Sequence, residues 1–197
     1  MNERKAMMTK DEILAAFTNC GALQRGHFQL TSGRHSDSYV QCARVLESPS
    51  LTLRLARELT QRLSCDLRAD VVASPAVGGM LIGFAVAEVL DLPFIFSERK
   101  DGAMTLRRGF HVEPGMRVFV VEDVVTTGGS VQEVIALVKA AGGEIAGVLA
   151  LVDRGGAKKF DAPFYPLLAL DVASWEPGSC ALCRQGTPLS SEGSRRL

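Results

Sequence analysis

Residues 118–131 read VFVVEDVVTTGGSV, four apolar residues that run into two adjacent acids, two valines, and then hydroxylated residues and glycines. An apolar run before the acids predicts a buried strand, and the spacing over 130–141 predicts a helix, so 126–130 is the turn between them. Glycines let the backbone approach a ligand, and a helix N-terminus favours an anion. The stretch therefore predicts a monophosphate cradle beside two carboxylates, Glu122 and Asp123, that suit vicinal hydroxyl groups.

Two common nucleotide motifs do not fit this turn. A Walker A loop needs a lysine before its final hydroxyl, whereas Ser130 follows Gly129, and the dinucleotide pattern GxGxxG does not occur here. A simpler alternative is that the acids merely end a strand and that TTGGS is an ordinary helix N-cap. Two adjacent acids would then repel each other without a ligand to hold, so we favour a ribose 5-phosphate.

The composition of the whole chain fits a single domain spanning residues 1–197. Hydrophobic residues make up 47% of the chain, and 22 Lys and Arg balance 22 Asp and Glu. No global field then attracts nucleic acid or an anionic membrane, and no apolar run approaches the roughly 18 to 20 residues of a membrane span. The N-terminus has no apolar core of signal-peptide length. We expect a cytoplasmic protein with five mostly free cysteines.

Hydrophobic periodicity divides the chain into alternating strands and helices. Helices are predicted over 11–19, 50–64, 77–90 and 130–141, strands over 70–75, 92–96, 117–122, 145–152 and 167–172, and two short strands within 26–41. Such alternation predicts an α/β fold with a parallel sheet covered on both faces. Ligands bind such sheets beyond the carboxyl ends of the strands, where the strand order reverses. Residues 190–197 are predicted to be disordered.

The stretch over 118–131 resembles the phosphoribosyl-pyrophosphate binding motif of the type I phosphoribosyltransferases. The resemblance implies a Rossmann-like core over about 50–172, with a small hood formed mainly by 1–45 and a C-terminal segment. It also implies that the two acids hold the ribose 2- and 3-hydroxyls and that the loop binds the 5-phosphate. The implied substrate-binding residues are Glu122, Asp123, Val124, Val125, Thr126, Thr127, Gly128, Gly129 and Ser130, with Gly78 and Gly79 at the pyrophosphate.

A second segment resembles the orotate phosphoribosyltransferases of that family, which carry the pattern F-x-L-x-S-G-R-x-S. Here it is filled by Phe28, Leu30, Ser32, Gly33, Arg34 and Ser36. The resemblance implies that Ser32, Gly33, Arg34 and Tyr39 cover orotate, which Thr126 and Arg154 also contact. Taken alone, SGRHS is an ordinary polar turn, and Arg154 could be a surface arginine paired with Asp153.

A basic segment lies between two predicted strands, at residues 97–115. By resemblance it is a mobile loop that closes over the active site across a homodimer interface and balances charge on the leaving pyrophosphate. The implied catalytic residues are Arg99, Lys100, Arg107 and Arg108, together with Asp123. The enterobacterial form of the loop has a later Lys and His where this chain has Ala103 and Thr105, and a Lys at the position of Gly78, so the detailed roles differ.

The implied reaction transfers ribose 5-phosphate from phosphoribosyl pyrophosphate to orotate, giving orotidine 5-phosphate and pyrophosphate in pyrimidine biosynthesis. Mg²⁺ is expected, bound mainly through the phosphoribosyl pyrophosphate, and no other cofactor. Two alternatives stay open: an enzyme of the same superfamily that uses a purine, and a regulator that senses phosphoribosyl pyrophosphate without turnover. Nucleic acid and membrane are not expected partners.

The remaining candidates for metal chemistry are scattered. His27, His35 and His111 show no ligand spacing and are expected to be solvated. The pair Cys180-x-x-Cys183 could be half of a zinc site or a redox pair, but a closed site needs four ligands and no second pair is visible. We therefore predict an incidental or inter-subunit role for this pair and no metal-ligating side chain.

Overall fold

The computed structural model describes residues 7–30, 32–155 and 160–190. Its helices are α1 (Lys10–Asn19), α2 (Ala43–Leu46), α3 (Pro49–Thr60), α4 (Gly78–Leu90), α5 (Gly129–Ala140) and α6 (Ala181–Arg184), with a 3₁₀ turn at Pro177–Ser179. Its strands are β1 (Leu23–Gln29), β2 (His35–Val40), β3 (Val71–Pro75), β4 (Phe94–Lys100), β5 (Ala103–Leu106), β6 (Arg117–Val125), β7 (Glu144–Asp153), β8 (Phe164–Ala169) and β9 (Ser174–Trp175).

Six strands form the central sheet in the order β5-β4-β3-β6-β7-β8. All neighbours pair in parallel except β5, which pairs antiparallel with β4. The predicted α/β fold with a mostly parallel sheet is confirmed. The chain moves outward from β3 to β4 and then returns to the other side of β3 as β6. The strand order therefore reverses between β3 and β6, and the carboxyl ends of these two strands open the crevice where ligands are expected.

Apolar layers cover both faces of this sheet. In β6, Phe119 and Val121 join one core with α1, α3 and α4, whereas Val118 and Val120 join a second core with α5. β7 divides in the same way, because successive side chains of a strand point to opposite faces. Burial on both faces of the sheet explains why the four residues before Glu122 are all apolar. The same packing holds β6 in place, and the acid pair lies near the end of this strand.

A second, three-stranded antiparallel sheet has the order β1-β2-β9. We use the word hood for this sheet together with the C-terminal segment 174–190. Ser190 donates its backbone amide to His27 O (2.8 Å) and accepts from Gln29 N (2.9 Å), so the segment returns to β1. The other residues of the predicted disordered tail, 191–197, lie outside the described residues.

The segment 97–115 is partly a β-hairpin rather than a loop between two strands. β4 continues to Lys100, the chain turns at Asp101 and Gly102 with φ of 52° and 83°, and β5 returns along β4. The prediction that β4 ends at Phe96 was wrong because its outer half is polar and becomes a strand through its pairing with β5. Within the three described ranges, no helix has the length and apolar character that crossing a bilayer requires.

Candidate active site

The two acids lie at the end of β6, beside the point where the strand order reverses. Glu122 is 7% exposed, and its Oε1 accepts the amide of Asp123 at 3.0 Å. Asp123 in turn accepts the amide of Val124 on Oδ1 at 2.7 Å. In the described part of the chain, no Lys, Arg or His forms an ion pair with either carboxylate. Backbone amides therefore orient the pair without neutralising it.

Burial beside a second acid raises the proton affinity of Glu122. Desolvation of Glu122, with the adjacent Asp123 carboxylate as the second cause, raises the pKa of Glu122 to about 9. Cys42 lies beneath the pair, where its thiol approaches the carbonyl oxygen of Asp123 at 3.8 Å. Burial, and then the two acids, raise the pKa of the Cys42 thiol well above its usual range, so this thiol is neutral and inert.

The turn after β6 forms a small concavity of about 60 Å³, lined by Glu122, Val124, Val125, Thr126, Thr127, Gly128, Gly129, Ser130 and Val131. Gly128 adopts the left-handed conformation, with φ of 75°, immediately before α5. The first amides of a helix have no intrahelical partner, and Thr126 and Thr127 are exposed beside them. The structure thus gathers the predicted phosphate-binding residues around one space that suits an anion.

The first turn of α4 packs directly against the acid pair. A Cβ atom added to Gly78 would lie 2.9 Å from Asp123 Oδ1, and one added to Gly79 would lie 2.8 Å from the backbone oxygen of Val121 and 2.9 Å from Glu122 Oε1. Only glycine fits this approach at Gly79 without moving the backbone of β6. The loop predicted to hold pyrophosphate is therefore adjacent to the carboxylates.

Arg154 follows β7 and lies next to the end of β6, because its amide donates to Val125 O at 2.8 Å. Its Nε is buried without a hydrogen-bond partner among the described residues. Burial lowers the pKa of the Arg154 guanidinium, and the nearby Tyr39 hydroxyl acts in the opposite direction. Arg154 thus lies near Tyr39 and next to the end of β6, and it also lines a neighbouring cavity of about 320 Å³.

Among the other hood residues predicted to cover orotate, Arg34 is bound to residues of the C-terminal segment. Arg34 donates from Nε to Ser174 Oγ (3.2 Å) and from a terminal nitrogen to Ser174 O (2.8 Å), and it forms an ion pair with Glu176. Ser32 is exposed, and Gly33 closes the hairpin turn with φ of 80°. Arg34 thus joins β2 to the C-terminal segment, a role that the sequence did not indicate.

The predicted catalytic cations lie on the β4–β5 hairpin and do not contact the acid pair. Arg99 pairs with Glu133 at 2.8 Å, and Arg107 and Arg108 both pair with Glu98, at 3.4 and 3.2 Å. Lys100 is exposed and forms no ion pair with a described residue. The three arginines are thus paired with acids of their own chain, and the part of all four cations in catalysis stays a prediction.

Sequence reasoning missed a cluster in the hood. His27 and His35 are buried, at 3% and 5% exposure, so the expectation that they are solvated was wrong. His27 contacts both Cys180 and Cys183, and His35 contacts Cys183; for this cysteine pair the sequence showed no further ligands. All five cysteines are free in the structure. The proximity of the two histidines could have been inferred from the hairpin. With the turn at Ser32-Gly33, residues 27 and 35 lie diagonally opposite each other on one face of the two strands.

Comparisons with known proteins agree with this geometry. The family model described as "Phosphoribosyl transferase domain" matches residues 45–179. Orotate phosphoribosyltransferase from Heliobacterium modesticaldum is 52% identical over 190 residues, 95% of this chain and 100% of the relative, and the protein of that name from Pelotomaculum thermopropionicum is 49% identical, with 96% and 100% covered. The crystal structure of orotate phosphoribosyltransferase from Aeropyrum pernix superposes with a TM-score of 0.68 at 27% identity, covering 80% of this chain and 93% of that one. This chain belongs to the phosphoribosyl transferase domain family.

Proposed function

We propose that this chain transfers ribose 5-phosphate from phosphoribosyl pyrophosphate to orotate, giving orotidine 5-phosphate and pyrophosphate, the reaction that its relatives' names describe and a step of pyrimidine biosynthesis. One observation carries the proposal. A buried acid pair, a phosphate-sized concavity and a glycine helix start meet where β3 and β6 end. These three features match the hydroxyls, the 5-phosphate and the pyrophosphate of a single substrate.

The geometry supports catalysis by positioning and charge stabilisation. As C1 of the ribose loses pyrophosphate it gains cationic, oxocarbenium-like character, and orotate nitrogen attacks it. Glu122 and Asp123 orient the sugar through its hydroxyls, and the Asp123 carboxylate also lowers the energy of the cationic transition state through its charge. The buried guanidinium of Arg154 supplies a forked donor for the carboxylate or imide edge of the base. By the same proposal, Tyr39 and Thr126 also contact the base.

The residues at the crevice fit a magnesium ion that arrives with the substrate. Mg²⁺ prefers oxygen ligands and keeps several waters, and the acid pair offers carboxylate oxygens without a cationic competitor in the described residues. When bound with phosphoribosyl pyrophosphate, the ion would neutralise charge on the leaving group. Glu122 and Asp123 would hold the ribose hydroxyls near it, so no protein side chain need be a dedicated ligand.

A homodimer would place the β4–β5 hairpin of one chain over the site of the other. Val77, the N-cap of α4, and Leu81 and Phe84 within the helix are exposed at 81%, 57% and 60%, spaced along one face next to the glycine loop. A second copy of the chain is the occupant that this stripe favours, since three of the four hairpin cations pair with Glu98 or Glu133 of their own chain and not with the acid pair. Arg99, Lys100, Arg107 and Arg108 would then balance the charge of pyrophosphate. A cytoplasmic location remains a prediction.

The test is loss of orotate absorbance with phosphoribosyl pyrophosphate and Mg²⁺, beside adenine and hypoxanthine as alternative acceptors. We expect turnover of orotate alone. Arg154→Ala should raise KM for orotate about 10- to 100-fold, the cost of a lost charged hydrogen-bond pair, with little change in KM for phosphoribosyl pyrophosphate. Arg57→Ala, an exposed arginine on α3, is the control. Turnover of a purine, or binding of phosphoribosyl pyrophosphate without any turnover, would contradict the proposal.

A further inference from the structure

Four potential ligand atoms meet in the hood, away from the acid pair. They belong to His27, His35, Cys180 and Cys183, and all lie within 4.8 Å of one another. His27 Nε2 is 3.0 Å from His35 Nδ1, 3.4 Å from Cys180 Sγ and 3.7 Å from Cys183 Sγ, and Cys183 Sγ is 3.2 Å from His35 Nδ1. Three of the four side chains are at least nine-tenths buried.

These separations suit one tetrahedral ion. With metal–nitrogen bonds of about 2.0–2.1 Å and metal–sulfur bonds of about 2.3 Å, a tetrahedron places its ligand atoms about 3.3 to 3.8 Å apart. The observed contacts span 3.0 to 3.7 Å. Two sulfur and two nitrogen ligands in this arrangement are typical of Zn²⁺. Two thiolates also cancel the charge of the ion, which reduces the cost of burying it.

The tautomer of His27 is already set for metal binding. Its Nδ1 lies 2.8 Å from the backbone oxygen of Thr187, which can only accept, so Nδ1 carries the proton and Nε2 directs a lone pair into the cluster. A ligating histidine whose second nitrogen donates to a carbonyl is the usual outer-shell arrangement at zinc sites. Thr187 belongs to the same C-terminal segment as the cysteines, so the segment supplies both the thiols and this support.

We propose that His27, His35, Cys180 and Cys183 form a structural Zn²⁺ site that fastens the C-terminal segment to the β1–β2 hairpin. Binding releases the thiol protons of the two cysteines and changes no oxidation state. The ion joins residues as much as 156 positions apart, in a sheet of only three short strands. A small antiparallel sheet buries little apolar surface by itself, and a metal cross-link compensates for that.

Metal content tests the site without reference to turnover. The tag-free full chain, incubated with excess Zn²⁺ and gel-filtered, should retain about one zinc per chain by mass spectrometry, because a closed four-ligand site holds one ion. Cys180→Ser/Cys183→Ser should retain less than about a tenth of that. Cys65→Ser, at an exposed cysteine outside the hood, should match the wild type. Equal retention by wild type and double variant would overturn the proposal.

Cobalt gives a second readout that does not depend on whether the variant folds. Co²⁺ added to chelator-treated wild-type protein should produce the visible bands of a tetrahedral ion together with a thiolate-to-cobalt charge-transfer band, and added Zn²⁺ should abolish both. Zn²⁺ should also raise the Tm of wild-type protein by several degrees and leave that of the double variant unchanged. The proposal would be contradicted if Co²⁺ gave no tetrahedral spectrum in the wild type, or if freshly isolated protein contained a Cys180–Cys183 disulfide.

Discussion

Glu122 shows how packing can hold an acid in its protonated form. It lies near the end of a strand covered on both faces, and its carboxyl group contacts the amide and the carboxylate of Asp123. A cation beside Glu122 would favour the ionised form, but it would also occupy the space predicted for the ribose hydroxyls. No described residue supplies such a cation, so Glu122 keeps its proton near neutral pH in the free protein, and a pKa raised in this way is typical of a functional site.

The first prediction concerns the pH dependence of stability in the unliganded protein. The ordinary pKa of Glu122 is 4.5 and its folded value is about 9, so between these values the folded state keeps a proton that the unfolded state has lost. Stability from this group is complete below pH 4.5 and is lost as pH rises through about 9, an effect on the order of a few kcal/mol. Glu122→Gln should therefore unfold with a flatter dependence of Tm on pH between 5 and 9.

Thermal unfolding across that pH range, with Glu144→Gln as an exposed control, checks this expectation. Glu144 lies at the start of β7, away from the acid pair. The control should follow the wild-type slope. Parallel Tm curves for the wild type and Glu122→Gln would show that the proton of Glu122 has no part in folding.

Among the contacts between whole elements, the packing of α4 against β6 sets the position of the glycine loop relative to the acid pair. The helix begins where a Cβ of Gly79 would meet the backbone oxygen of Val121, and a backbone atom of a central strand moves less readily than a side chain. The distance between the pyrophosphate loop and the acid pair is thus fixed by the lack of a side chain at one position.

We predict that Gly79→Ala forces α4 away from β6. The free energy of unfolding should fall by about 1–3 kcal/mol, as for other overpacked sites, and kcat/KM with orotate should fall at least about tenfold because the loop and the carboxylates separate. Gly178→Ala is the matched control, since a Cβ there meets nothing within 4 Å. Wild-type kcat/KM in Gly79→Ala would mean that the loop tolerates this displacement. Chemical denaturation and steady-state kinetics give the two quantities.

Elements with strong local signals were predictable from the sequence, and those that depend on distant partners were not. The apolar run of β6 and the turn into α5 carry their own pattern, so the strand and the turn after it were predicted, although β6 continues three residues beyond Glu122 to Val125. The outer half of β4 is polar, and it becomes a strand only because β5 pairs with it. Cys180 and Cys183 lack a visible second pair along the chain, because their neighbours His27 and His35 come from the opposite end of the sequence.

At the scale of the whole molecule, the charges of the active site are divided between two places. The acid pair and the glycine loops meet in the crevice, whereas the cations of the β4–β5 hairpin pair with Glu98 and Glu133. Lys100 is the exception, because it forms no ion pair with a described residue. To bring the hairpin cations to the acid pair, either the hairpin must move a long way or a second copy of the chain must supply them. The exposed apolar stripe of Val77, Leu81 and Phe84 beside the crevice favours a second copy.

We therefore predict that two inactive variants restore each other. Lys100→Ala removes a hairpin cation and Asp123→Asn removes a ribose ligand, so each homodimer should lose most of its activity. If the hairpin acts across the interface, a mixed dimer contains one site with both defects and one with neither. Random exchange makes half of the dimers mixed, so an equal mixture should regain about a quarter of wild-type kcat.

The same mixture prepared in a Leu81→Glu background separates this mechanism from a hairpin that folds over its own site. The added carboxylate should break the α4 stripe, give a monomer by light scattering, and abolish the recovery, whereas Met7→Glu, at an exposed apolar residue outside the stripe, should leave the dimer and the recovery intact. A site shared between two chains cannot form in a monomer, so activity recovered by a mixture of monomers would contradict the prediction. If mixed dimers form but activity is not recovered, each hairpin acts on the site of its own chain. The ion pairs of the arginines with Glu98 and Glu133 would then have to open before each turnover.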